Sequence, residues 1–137
     1  MTHKNIKYFN YARNMAMMSD YNRVHIGCVA VMNNKILSTG FNTTKSHPLQ
    51  AHYNQFRDFH GAEMHNHTLH AEMSCLIPLW SSNLAWNKIK LYIYRIKCGT
   101  GKVLSRPCNG CMAAIKDLGI KEIYYTTDTG YVKEIIE

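Results

Sequence analysis

Two short fragments constrain this chain more than any other feature. One is His70-Ala71-Glu72; the other is Pro107-Cys108-Asn109-Gly110-Cys111. Thiolate and imidazole are the ligands that Zn²⁺ prefers. Cysteines three apart at a helix start can face one ion, and the free backbone N–H groups there favour the thiolate form. Proline before the first cysteine suits a chain turning into a helix. His70 and Glu72 would lie about 200° apart inside a helix and could not share a site there. They can share one only if the metal sits near the helix end. The chain must therefore bring two helix starts to one point.

The local patterns supply those helices and the strands between them. Residues 5–20 read as a helix, with Tyr8, Ala12, Met15 and Met18 on one apolar face. Residues 24–32 read as a buried strand, Asn33-Asn34 as a turn, and 35–41 as the hairpin partner. Residues 42–67 form a long polar connection holding His47, His52, His60, His65 and His67, with a short helix expected around 49–58. Residues 68–80 read as a helix capped by Thr68, with Leu69, Met73, Ile77 and Trp80 as its apolar stripe. Pro78 should kink or end it. A strand over 88–97, a helix over 109–118 stopped by Gly119, and a strand over 120–127 follow. The last ten residues fit either a short helix or a final strand. This order predicts a single α/β layered domain over residues 1–137, with the last strands parallel.

Composition narrows the class. The chain has 137 residues, and 18% charged residues is not a disordered composition. No stretch approaches the roughly 18 apolar residues of a membrane span, and the polar start Met1-Thr2-His3-Lys4-Asn5 lacks a signal-peptide core. A cytoplasmic protein is expected. Five cysteines, an odd number, fit a reducing compartment. The net charge is +7, and no acidic residue occurs between Glu72 and Asp117. Lys88, Lys90, Arg95, Lys97, Lys102, Arg106 and Lys116 in that stretch make either a solvated basic surface or an attraction for phosphate.

Three protein ligands leave one tetrahedral position. Water there makes the site catalytic; a fourth side chain makes it structural. Glu72 favours catalysis, because a carboxylate beside the metal's water can take a proton and return it. Cys98 is the rival fourth ligand. Cys75 and Cys28 read as packing residues, Cys28 with a possible place at the pocket.

The pattern His-x-Glu followed by Pro-Cys-x-x-Cys is the zinc deaminase signature. On these residues the chain resembles the cytidine and deoxycytidylate deaminase superfamily. Val24-His25-Ile26-Gly27-Cys28-Val29 is similar to the family's first strand, where Gly-Ala is usual. Gly40-Phe41-Asn42 is similar to its Gly-Tyr-Asn turn, and Arg106 to Thr127 resembles its metal helix and following strand. The resemblance implies a three-layer α/β/α sandwich with a mixed, mostly five-stranded sheet. It implies one catalytic Zn²⁺ held by His70, Cys108 and Cys111, with Glu72 as proton shuttle. Asn42 would bind the sugar hydroxyl, and backbone atoms near Cys28 and Ala71 would read the base edge. The implied reaction is hydrolytic deamination of a cytosine nucleotide, foremost dCMP to dUMP with release of ammonia, in a homo-oligomer. Lys45, His47 and Arg106 are candidates for the phosphate.

Two other readings are open. A deaminase of single-stranded DNA or tRNA would use the acid-free basic stretch and stack bases on Tyr92, Tyr94 and Tyr124. A non-catalytic zinc module would have no use for Glu72. His60, His65 and His67 in the 43–67 insert are either polar loop residues or ligands of a second, structural zinc. Thr43 stands where relatives regulated by nucleoside triphosphates carry glycine, which argues against such control.

Overall fold

A computed structural model describes residues 2–21, 24–56, 68–97 and 104–137. Its strands are β1 (Val24–Met32), β2 (Lys35–Phe41), β3 (Lys90–Lys97), β4 (Glu122–Thr126) and β5 (Tyr131–Ile135). They form one sheet in the order β2-β1-β3-β4-β5. The hairpin expected at Asn33-Asn34 is present. Both residues take left-handed φ values, 51° and 63°, as a two-residue turn of type I′ requires. Among the described residues only β3 and β4 run parallel; the final segment is the antiparallel strand β5. The expected parallel run is thus limited to the pair that α4 (Asn109–Leu118) connects.

Alternation along the strands divides the core in two. Cys28 and Ala30 of β1, Leu91 and Ile93 of β3, and Ile123 and Tyr125 of β4 face one side. They pack there with α3 (Ala71–Leu76) and α4. Val29, Val31, Tyr92 and Tyr124 face the other, against Tyr8, Phe9 and Ala12 of α1 (His3–Ala16). This is the expected α/β/α sandwich around a five-stranded mixed sheet.

Two glycines set the layer spacing. A Cβ on Gly27 would strike the Ala12 carbonyl of α1, and one on Gly40 would strike the Cys75 amide of α3. α1 is capped by Thr2, whose hydroxyl accepts the Asn5 N–H at 3.2 Å. It stops at Ala16, short of the expected residue 20. Phe9 and Ala16 are buried, whereas Met18 lies beyond the helix and is 61% exposed.

The second expected helix also differs. α3 starts at Ala71 because residues 43–46 and 68–69 pair instead. Ser46 bridges Thr68, Thr43 N–H donates to Leu69 O at 3.0 Å, and Leu69 N–H to Lys45 O at 2.8 Å. Thr68 therefore caps no helix. At the other end Pro78 falls in a 3₁₀ turn, Ile77–Leu79, that ends α3. The expected stripe nevertheless packs as a group: Met73, Leu69, Ile77 and Trp80 meet Tyr53, Cys111 and Ala114. The short helix of the insert is α2 (Pro48–Tyr53), continued by a 3₁₀ turn over Asn54–Phe56. Among the described residues no helix is long and apolar enough to cross a membrane.

Candidate active site

Cys108 is the N-cap of α4, with extended backbone (φ −64°, ψ 167°), and its sulfur accepts the Cys111 N–H at 3.5 Å. The segment leading to it is pinned by Ser105, a buried residue that the sequence did not single out. Ser105 Oγ donates to Ile93 O at 3.1 Å and accepts the Thr126 N–H at 2.7 Å. Its own N–H donates to Thr126 O at 2.9 Å. One serine thus ties the approach to Pro107 onto both β3 and β4.

His70 is the N-cap of α3, again extended (φ −80°, ψ 158°), with no side-chain cap. Its backbone N–H donates to Gln50 Oε1 of α2 at 3.0 Å. Gln50 is fully buried, and its amide donates in turn to Asn54 Oδ1 at 2.8 Å. A buried amide with both ends engaged fixes the strand-to-helix corner at His70. With His70 outside the helix and Glu72 in its first turn, the 200° objection does not apply.

The two corners meet. His70 Nδ1 lies 3.3 Å from Cys111 Sγ and 3.5 Å from Cys108 Sγ. Zinc held tetrahedrally at about 2.3 Å from sulfur and about 2.0–2.1 Å from nitrogen needs N···S separations of about 3.5 Å. The donor set fits that ion. The ligand atoms all lie within 4.8 Å of one another, and among the described residues no fourth His, Cys, Asp or Glu joins them. Cys98, His60, His65 and His67 lie outside the described residues. Cys28 and Cys75 are buried core residues, the latter's thiol donating to Ser38 O at 3.5 Å.

Glu72 is 4% exposed beside this cluster. Burial pushes its carboxyl above the ordinary carboxylate value, with His70 opposing and Cys108 adding to the rise. Between the sulfurs, the Cys111 thiol donates to Cys108. That bond is the largest cause holding Cys108 down at about 3, and it raises Cys111. A cavity of about 320 Å³ opens onto His70, Glu72 and Cys108.

Residues 2–127 match the family described as the cytidine and deoxycytidylate deaminase zinc-binding region. The chain belongs to that family. It is a hydrolytic deaminase acting on a C–N bond of a cytosine-type base, with one catalytic zinc. In fold it is similar to the dCMP deaminase of cyanophage S-TIM5 in apo form. That likeness has 24% identity over 94% of this chain and 87% of that one, with a TM-score of 0.65. The same phage enzyme in complex with dCMP and dUMP gives 23% identity, 91% and 82% coverage, and 0.63. The cytidine deaminase of Burkholderia pseudomallei gives 15% identity, 98% and 93% coverage, and 0.62. No protein of curated function matches the sequence.

Of the expected substrate-facing residues, Asn42 lines the deaminase's cavity. Its amide also ties β1 down, accepting Ile26 N–H at 2.9 Å and donating to Val24 O at 2.7 Å. Cys28 and Ala71 are fully buried and pack together in the core between β1 and α3. Lys45 and His47 are not among the lining residues; His47 caps α2, accepting Leu49 N–H at 3.1 Å. Arg106 lines the cavity but is engaged by Glu134, with both hydrogen bonds at 2.9 Å. Arg95 lines it too, and among the described residues it has no carboxylate partner; its guanidinium donates to Leu104 O at 3.3 Å.

The basic stretch is not one face. Lys90 pairs with Glu122 and Arg106 with Glu134, on different strands. Tyr92 and Tyr124 stack on each other at 4.5 Å and are buried beneath α1, so neither offers a ring to a nucleic-acid base.

Proposed function

We propose that the deaminase acts on a cytosine nucleotide bearing a 5′-phosphate, foremost dCMP, giving dUMP and ammonia. The observation that carries this reading is that buried Glu72 and Arg95, which has no carboxylate partner among the described residues, line one cavity. A guanidinium without a carboxylate is a ready phosphate partner. Glu122 of β4 and Glu134 of β5 are taken up by other cations.

His70, Cys108 and Cys111 are assigned as the zinc ligands. A zinc ion held by these three residues would supply Lewis-acid activation of water at neutral pH, the chemistry that attack at C4 of the base requires. The Glu72 carboxylate, buried on the same cavity, would take a proton from the attacking water and return it to the departing amine. Burial raises its pKa above the ordinary carboxylate value, which makes it a better proton acceptor than an exposed carboxylate. The bond from C4 to the exocyclic nitrogen is exchanged for one to oxygen, and ammonia leaves. Asn42, which lines the cavity and is fixed by its two bonds to β1, is assigned to the sugar hydroxyl. Backbone groups near Cys28 and Ala71 are assigned to the base edge. Ala71 opens α3, a start that no side chain caps.

The test is turnover on dCMP, CMP, deoxycytidine, dCTP and a cytosine-containing single-stranded oligonucleotide. A charge-assisted hydrogen bond contributes about 1.5–3 kcal/mol. The value of kcat/KM for dCMP should therefore exceed that for deoxycytidine by about tenfold or more. Equal values would refute phosphate recognition while leaving the deamination chemistry in place.

A further inference from the structure

A second cavity, of about 480 Å³, lies on the α1 face at the other end of the sheet. Val31, Lys90, Tyr92 and Tyr124 belong to it, whereas Ile26 and Arg95 of the same strands β1 and β3 face the zinc cavity. We infer that this second cavity binds a small phosphate-bearing anion. The site is distinct from the substrate pocket and does not depend on the dCMP reading.

Charge is the first reason. Lys4, Lys88, Lys90 and Lys133 all line the cavity. The carboxylate beside them is Glu122, which Lys90 Nζ and Lys133 Nζ share at 3.3 and 3.4 Å. Tyr124 OH also donates to it, at 2.9 Å. Lys4 and Lys88 are exposed and have no ion-pair partner among the described residues. Like charges gathered in a concave surface repel one another, and an anion between them removes that cost.

Local geometry points the same way. Lys4 sits in the first turn of α1, which carries no acidic residue. The helix dipole disfavours a cation there, and a bound anion offsets both. Asn33 and Asn34 form the β1–β2 turn with left-handed backbones, a role glycine performs more easily, and both line the cavity. Their amides add neutral donors that glycines would lack.

Shape decides what kind of anion. A concave pocket of this size takes a small molecule, whereas a polynucleotide needs an open track with exposed rings. Tyr92 and Tyr124 are 2% and 4% exposed and stacked at 7°, so no ring face is free for a base. Recognition is of the phosphate group.

The probe is inorganic phosphate, titrated into ¹⁵N-labelled zinc-loaded protein and followed by amide chemical shifts. Sodium chloride at matched ionic strength is the control. Saturable shifts are expected at Lys4, Asn33, Asn34 and Lys88, without counterpart in chloride. The double variant K4Q/K88Q should bind about tenfold more weakly, and K4R/K88R should bind as the parent does. Shifts that follow ionic strength alone would overturn the inference. So would unchanged affinity in K4Q/K88Q with a native spectrum, or shifts confined to residues around Arg95 and Asn42.

Discussion

The two helix starts that meet at the zinc site are held by different means. α4 is supported from nearby in the chain: Cys108 caps its own helix through Cys111 N–H, Ser105 anchors the approach, and Gly119 ends the helix with φ 97°. α3 has six residues, fewer than the roughly 12–15 that sustain a helix alone, and no side-chain cap. Its ligand corner is fixed by Gln50, twenty residues upstream. One half of the site is thus encoded locally, and the other is borrowed from a different element.

The largest effect should come from the ligands, where that asymmetry vanishes. His70→Ala on one corner and Cys111→Ser on the other should each reduce zinc from one per chain towards none, with activity lost. Metal analysis of purified protein checks this; unchanged zinc in either variant would remove that residue from the site. Glu72→Gln separates the corners again, since the proposed proton shuttle lies on α3. Zinc should stay bound while kcat falls by roughly 10²–10⁴. Full turnover in that variant would reject the shuttle role.

The next effect tests the asymmetry directly. Gln50→Leu removes the acceptor of the part-buried His70 N–H, at a cost of about 1–3 kcal/mol. Because α3 has no local cap to fall back on, zinc affinity should drop by roughly 10–100-fold. Ser105→Ala removes hydroxyl bonds to β3 and β4 but leaves the Ser105 N–H bond to Thr126 and the Cys108 cap. It should lower thermal stability while changing zinc affinity less. Equal losses in a chelator competition would end the distinction between a local and a borrowed corner.

The same contrast explains what the sequence reveals. The hairpin at Asn33-Asn34, the strand before α4, and α4 with its Gly119 stop are written in short-range signals, and the structure follows them. Both ligand fragments are legible for the same reason. The end of α1 and the start of α3 are set by distant contacts. Gly27 presses on Ala12 and Ala16, and residues 43–45 compete for Leu69. Gln50 and Ser105 look like ordinary polar residues because their partners are 20 and 21 positions away. Arg95 emerges only when Glu134 is seen to occupy Arg106. No periodicity or motif records which arginine a carboxylate selects.

That selection gives the smallest expected effect. Arg106 immediately precedes Pro107, so its paired bonds to Glu134 of β5 are a further brace on the α4 corner. Both side chains are partly exposed, at 41% and 27%, so Arg106→Gln should cost only about 0.2–1 kcal/mol at neutral pH. Arg106 holds the Glu134 carboxyl below the usual range, with burial opposing and the Tyr125 hydroxyl assisting. A folded-state pKa below the unfolded value of about 4.3 stabilises the protein above that pH. The contribution disappears as pH falls through the lowered value. The gap in melting temperature between parent and Arg106→Gln should therefore be present at pH 7 and close in acid. Zinc content should not change, because Ser105 and the Cys108 cap still hold the corner. If kcat/KM for dCMP instead fell tenfold with deoxycytidine unaffected, the phosphate would belong to Arg106. The ion pair with Glu134 would then be a contact that substrate displaces, and Arg95 would lose its assigned role.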